Sequence, residues 1–230
     1  MDFDLPTQRR HKPTLTLRRL AEDDIEAARE LQRKVYRRIP PLRAEQFSNL
    51  LKVFPQGQFV AIAEGRLVGI AISLVVLWDD YGLGHTYDEV TGEQSFNTHN
   101  MQGRTLYGAE VCVDPEARGM GVGHALYQER RRLCRQMNLK RIIAGGRLPG
   151  YRANANHMSA QEYAQRVIWG DLDDPVLDFQ MGEGFHFCGI LSGYLPADID
   201  SVGNAALIVW LNPHYDPAKP TRLPRLRRTP

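Results

Sequence analysis

Arg118-Gly-Met-Gly-Val-Gly123 is the stretch on which the fold turns. It follows an apolar run, Ala109-Glu-Val-Cys-Val113, and a turn, Asp114-Pro-Glu-Ala117, and it opens a helix-patterned segment reaching about Met137. A strand, a tight glycine turn and a helix N-terminus together make a pocket for a pyrophosphate. Each glycine lets backbone approach phosphate where a Cβ would clash. The unpaired N–H groups of the first helical turn point at the anion, and the helix dipole adds about half a positive charge. Arg118 can add a full charge beside them.

The dinucleotide fingerprint G-x-G-x-x-G also lies between strand and helix, but the spacing here is R-G-x-G-x-G. The phosphate loop of nucleoside-triphosphate enzymes would need Lys and Ser or Thr after the last glycine, where this chain has His124 and Ala125. The arrangement V-x-P-x-x-R-G-x-G-x-G, carried by Val113, Pro115, Arg118, Gly119, Gly121 and Gly123, resembles the coenzyme A loop of the GNAT superfamily of N-acyltransferases. Within that superfamily, Gly145-Gly-Arg-Leu-Pro-Gly-Tyr151, Met158-Ser159, Asp174-Pro-Val-Leu-Asp-Phe-Gln180 and Gly184-Phe185 are similar to one subgroup. Its members include acetyltransferase domains fused to a nitrilase-like carbon–nitrogen hydrolase. No such second domain follows in these 230 residues, so any hydrolase partner is expected to be a separate protein.

Composition sets the outer bounds. The length suits one domain with extensions, and 24% charged against 43% hydrophobic residues is the balance of a soluble globular protein. A formal net charge of +2 implies no nucleic-acid partner. The basic ends, Arg9-Arg-His-Lys12 and Arg222 through Arg228, read as solvated tails. Cys112, Cys134 and Cys188 are widely spaced and offer no metal framework; with no secretory signal, a reducing cytoplasm is the expected compartment. No apolar run of about 18 residues suggests a membrane span.

The domain expected is 14–213, with a disordered lead over 1–13 and a basic, proline-rich tail over 214–230. Thr14–Arg18 alternates as a strand. Asp23 or Asp24 caps a helix with Ile25, Ala28, Leu31 and Val35 on one face; a second helix spans roughly 43–53. Residues 58–63 and 67–77 form two strands joined by the tight connection Glu64-Gly65-Arg66. Residues 79–103 show no clear period. The strand over 105–113 leads into the glycine loop and its helix, whose stripe is Val122, Ala125, Leu126, Leu133 and Met137. Arg130, Arg131, Arg132 and Arg135 are expected mostly outside that stripe. A strand at 140–145 follows, then a helix with the capping box Ser159…Glu162, a short helix before Gly182, and two last strands. This is the GNAT order. It implies an α/β (α+β) fold, a mixed and mostly antiparallel sheet flanked by helices and splayed between its fourth and fifth strands.

The resemblance implies that acyl-CoA, most simply acetyl-CoA, lies in that splay, with no metal. Residue by residue, Cys112 and Val113 would pair with the pantetheine. Arg118, Gly119, Gly121, Val122, Gly123 and His124 would hold the pyrophosphate, and Asn154 or Asn156 would sit near the pantetheine. Acyl transfer to an amine follows from the family, either a small-molecule amine or a protein lysine, by direct attack in a ternary complex. An alkyl amine with pKa about 10.4 is protonated at neutral pH, and removing the proton costs roughly 4–5 kcal/mol over about three units. Glu110, in the strand before the loop, is the candidate base, and Tyr163 or Tyr151 the candidate acid. The segment 79–103 and the first two helices would bound the acceptor, with His85 and His99 as candidate contacts. Arg147 would bind an acceptor carboxylate or the CoA 3′-phosphate, or else pin its loop by pairing with an acid. A homodimer is compatible with the resemblance, although no sequence device for one stands out. The rival reading is a non-catalytic acyl-CoA sensor that regulates a separate protein such as an amidohydrolase.

Overall fold

In a computed structural model, which describes residues 14–36 and 38–224, one seven-stranded sheet runs in the order β1-β2-β3-β4-β5-β7-β6. The strands are β1 (Leu15–Arg19), β2 (Phe59–Ala63), β3 (Arg66–Val76), β4 (Thr105–Val113), β5 (Arg141–Gly146), β6 (His186–Leu191) and β7 (Ala205–Leu211). All neighbours are antiparallel except β4 and β5. The β2–β3 connection is as tight as its sequence suggests: Glu64 and Gly65 both take positive φ, 50° and 75°, the geometry of a primed hairpin turn.

Among the described residues six α-helices cover the two faces: α1 (Ile25–Val35), α2 (Ala44–Val53), α3 (Tyr87–Thr91), α4 (Val122–Gln136), α5 (Ala160–Trp169) and α6 (Leu177–Gly182). One core lies under α1 and α2, with Leu31, Phe47, Ile70, Ile72, Leu74 and Tyr107. The other lies under α4, α5 and α6, with Leu106, Leu126, Leu133, Ile142, Leu177 and Ile208. Gly69 of β3 lets α4 settle closely, since a Cβ there would lie 2.7 Å from Val122 Cγ1. Mixed strand directions and helices on both faces are the architecture expected from the sequence.

Three expectations need correction or completion. The segment 79–103 is not irregular throughout: Thr86 caps α3, its Oγ1 accepting from Glu89 N while the Glu89 carboxylate accepts from Thr86 N, a reciprocal capping box. Arg130 and Arg131 of α4 are buried, at 1% and 7% exposure, because backbone carbonyls and Glu183 take up their donors. The start of the tail is docked: Asn138 Nδ2 donates to the carbonyls of Asp216 and Lys219, and Arg222 N donates to Met137 O. Residues 1–13, read as a disordered lead, lie outside the described residues.

Candidate active site

β4 and β5 pair over three positions only, Thr105↔Arg141, Leu106↔Ile142 and Tyr107↔Ile143. Beyond Tyr107 they part. β4 follows β3 to Val113, and β5 follows β7 to Gly146. The result is a gap whose vertex lies at Gly108 and Ala144.

The β4 limb carries a bulge at the vertex. Ser73 faces Gly108 and its neighbour Ile72 faces Glu110, so Ala109 is the extra residue. Plain alternation would put Glu110 on the α4 face with Leu106. After the bulge it lies instead on the α1 face, where Gln32 Nε2 donates to both of its carboxylate oxygens, at 2.9 and 2.7 Å. Burial pushes the Glu110 carboxyl up to about 7, with bonds from Gln32 and the Cys112 thiol and the charge of Arg130 pulling the other way.

Asp114 N donates to Val68 O across the β3–β4 ladder. In an antiparallel pair the hydrogen-bonded positions alternate, so Cys112 also points its backbone groups at β3 and Val111 and Val113 turn theirs toward the gap. Consistent with this, Val111 O accepts from the Oη of Tyr36, the residue that caps the C-terminus of α1, at 3.2 Å. Cys112 therefore differs from expectation: its backbone belongs to the ladder, and the gap-facing pair is Val111 and Val113.

The glycine loop lies where β4 ends. Gly119 and Gly121 have φ of 78° and 79°, a conformation costly for residues with a Cβ, and Gly121 caps α4. Among the described residues, the amides of Gly119, Gly121, Val122, Gly123 and His124 donate no hydrogen bond. They form one row of donors at a helix N-terminus. Arg118 is exposed beside them, and Gly123 packs against the ring of Phe179. The His124 ring is turned aside: Nδ1 lies 2.8 Å from Glu183 Oε1, and Gln128 Nε2 donates to its Nε2.

The other candidates scatter. Tyr163 is buried and donates to Asp174 Oδ2 at 3.0 Å; Asp174 also takes Gly150 N and the amides of Val176 and Leu177. Burial and this carboxylate raise the phenol's pKa. The acid role does not fit that geometry: the proton is held by Asp174 and the hydroxyl anchors the loop after β5. Tyr151 donates to Met158 O. Asn154 Nδ2 donates to Gly150 O, so Asn154 closes its own turn, whereas Asn156 is exposed.

His99 is on the far side of β3. Its Nδ1 accepts from Val75 N and its ring stacks on Phe54 at 4.4 Å, so it completes a strand edge away from the gap, neutral with a pKa of about 4 because it is buried. His85 is buried within a chain of hydroxyls. Its Nδ1 donates to Gly82 O, which leaves Nε2 to accept from Tyr107 Oη, which in turn accepts from Tyr194 Oη. Arg147 forms a bidentate pair with Asp198 and lies over the Tyr36 ring. Of the three acceptor candidates it alone lines the cavity of about 330 Å³ between the end of α1 and the β6–β7 connection, with Tyr36, Arg38 and Asp198 through Asp200.

Gln32 and Arg130 were not singled out from the sequence. Gln32 follows Ile25 and Ala28 at spacings of three and four, so a polar residue on an apolar stripe was the available signal. Among the described residues, no group of three or more His, Cys, Asp or Glu side chains is placed to hold a metal ion.

Residues 20–160 match the family model described as the acetyltransferase (GNAT) family. The chain belongs to the GNAT acetyltransferase family. Two curated Bacillus subtilis (strain 168) proteins are related along most of it. One is named "Probable hydrolase YhcX", 38% identical over 213 residues; the match takes in 93% of this chain but 42% of that protein. The other is named "Uncharacterized N-acetyltransferase YkwB", 32% identical, with 89% of this chain and 92% of that protein covered. Solved structures with the GNAT fold include the loading GNATL domain of CurA from Lyngbya majuscula, TM-score 0.76 at 21% identity over 87% of this chain and 99% of that one. GphF, a GNAT-like decarboxylase in complex with isobutyryl-CoA, has TM-score 0.75 at 22% identity over 86% and 99%. A phosphinothricin acetyltransferase from Sinorhizobium meliloti in complex with AcCoA has TM-score 0.53 at 16% identity over 90% and 94%. At these identities the likeness is one of fold.

Proposed function

We propose that this GNAT chain transfers an acyl group, acetyl in the simplest case, from coenzyme A to a primary amine by direct attack in a ternary complex. The observation that carries the reading is the position of Glu110. A carboxyl whose pKa is lifted toward neutrality lies at the bulge where the sheet parts, on the strand that leads into a row of unpaired amides. Arg118 and the amides of Gly119, Gly121, Val122, Gly123 and His124 hold the pyrophosphate, contributing backbone donors and one full charge. The pantetheine amides pair with Val111 and Val113, whose backbone groups face the gap. The acyl-CoA complexes of GphF and the phosphinothricin acetyltransferase support this placement by analogy of fold.

The acceptor enters through the cavity beside Tyr36 and Arg147. Glu110 takes the ammonium proton, directly or through one water, and the free amine attacks the thioester carbonyl. The developing oxyanion meets a gap-facing amide of β4, that of Val111 or Val113. The tetrahedral species collapses with loss of the CoA thiolate, which takes up the second proton released by the attacking nitrogen, while the first leaves Glu110 for solvent.

The acyl-CoA-sensing reading uses the same pyrophosphate loop but gives Glu110 no task. The inward direction of Glu110 favours catalysis. The test is CoA release from acetyl-CoA against a panel of amines, with the wild type and Glu110→Gln side by side. Turnover that Glu110→Gln abolishes supports transfer. Binding of acetyl-CoA without turnover on any amine would leave the sensor.

A further inference from the structure

We propose that Arg130 is a positioning residue for Glu110: its guanidinium clamps the β4 bulge, and the bulge keeps the Glu110 carboxylate on the α1 face of the sheet. The proposal rests on the reading of Glu110 as the base.

A bulge inserts a residue at the expense of the ladder and leaves backbone groups without strand partners. Here the carbonyls of Ile72 and Glu110 converge, one from each strand, and Arg130 Nη2 donates to both, at 2.9 and 2.7 Å. Its Nε donates to Ser73 Oγ at 3.0 Å. Ile72, Ser73 and Glu110 are the residues across which the register shifts, so every hydrogen bond of this side chain falls on the bulge.

The guanidinium has no carboxylate partner among the described residues, although Arg130 is only 1% exposed. Burying such a cation is costly unless its donors are taken up, and here the two bulge carbonyls take up Nη2 and the Ser73 hydroxyl takes up Nε. Position 130 falls on the apolar stripe of α4, four residues after Leu126 and three before Leu133, which explains why it faces the sheet. β4 makes room with Gly108, where a Cβ would lie 2.8 Å from Arg130 Nη1. Lysine has one nitrogen and cannot reproduce the fork that spans two strands and a hydroxyl.

The experiment compares wild type, Arg130→Lys and Arg130→Met. Two quantities are read: steady-state acetyl transfer, and the titration midpoint of the Glu110 carboxyl by carbon-13 NMR, assigned by its loss in Glu110→Gln. In Arg130→Lys, kcat is expected to fall by about tenfold or more while the amine KM stays within about threefold, since orientation of the base is lost and binding is not. The Glu110 midpoint is expected to move up in both variants, as the carboxylate loses its hold on Gln32 and, in Arg130→Met, a neighbouring cation as well. An Arg130→Lys protein with wild-type kcat and an unmoved midpoint would overturn the proposal. If Arg130→Met does not fold, Arg130→Lys decides alone. If the wild type turns over no amine yet the midpoint still moves, the base assignment fails and the clamp stands.

Discussion

Gln32 and Glu110 are 78 residues apart in sequence, and the side-chain amide of the first donates to both carboxylate oxygens of the second. The bond joins α1 to the bulged strand and favours the ionised carboxylate. Burial favours the neutral acid and is the stronger influence, so the group ionises near pH 7. Gln32 is itself fixed, since its Oε1 accepts from Leu42 N at 3.0 Å.

If Glu110 is the base, its ionisation near neutrality gives the acyl-transfer rate a definite pH dependence. With a saturating amine panel, kcat should rise through about pH 7 and level off above it, because only the carboxylate accepts a proton. Gln32→Leu should shift that inflection upward, since the lost hydrogen bond stabilised the charged form. Glu110→Gln should lower kcat by about 10²–10⁴ and flatten the profile. An inflection unchanged in Gln32→Leu would argue against this bond tuning the base.

The same residue has a consequence for stability that needs no substrate. The folded pKa of Glu110 is raised, from 4.5 to about 7. Its neutral form is therefore favoured by folding at low pH, and that contribution is lost as pH rises through the window between those values. Glu110→Gln should melt at a higher temperature than wild type at about pH 8, with the gain shrinking toward about pH 4. Calorimetry on both proteins across that range checks the sign.

Gly121 takes a left-handed conformation at the cap of α4. Replacing it with valine forces about 1–2 kcal/mol of backbone strain onto the row of amides. Binding of acetyl-CoA, read by titration calorimetry, should weaken by about tenfold or more, with little change in the amine KM.

Tyr163→Phe separates an anchor from an acid. The hydroxyl bond to Asp174 is charge-assisted, and its loss should cost about 1.5–3 kcal/mol of stability. Urea titration should show that loss while kcat stays within about threefold. A fall in kcat of about a hundredfold in a protein of unchanged stability would restore the catalytic role.

Much of the fold was legible because it rests on local pattern. The alternation of β1, the apolar runs of β2 and β3, the glycine turn, the apolar stripe of α4 and the Ser159 cap at α5 each follow from neighbouring residues, and Ser159 Oγ does accept from Glu162 N. α3 was missed, although Thr86 and Glu89 stand three residues apart as a capping box does. The bulge was missed too. The one mark of it in Thr105 through Val113 is Gly108, a lone glycine inside a strand; the bulge is held by an arginine on another element, and the strand's own alternation sends Glu110 to the wrong face. For the same reason Arg130 reads as a solvent-facing residue within an arginine-rich run. Histidines placed near the acceptor on grounds of chemistry alone went elsewhere, His99 to an edge of β3 and His85 into a file of tyrosines.

Only three residue pairs stitch β4 to β5, while each limb is backed along its length by another strand. The molecule is thus two half-sheets meeting at a short seam. On the proposed reading, a thioester arm with amides along its length would act there as a borrowed strand, a structural member of the sheet as well as a reactant. Releasing the product would then mean unzipping that temporary strand, rung by rung, from its two supports.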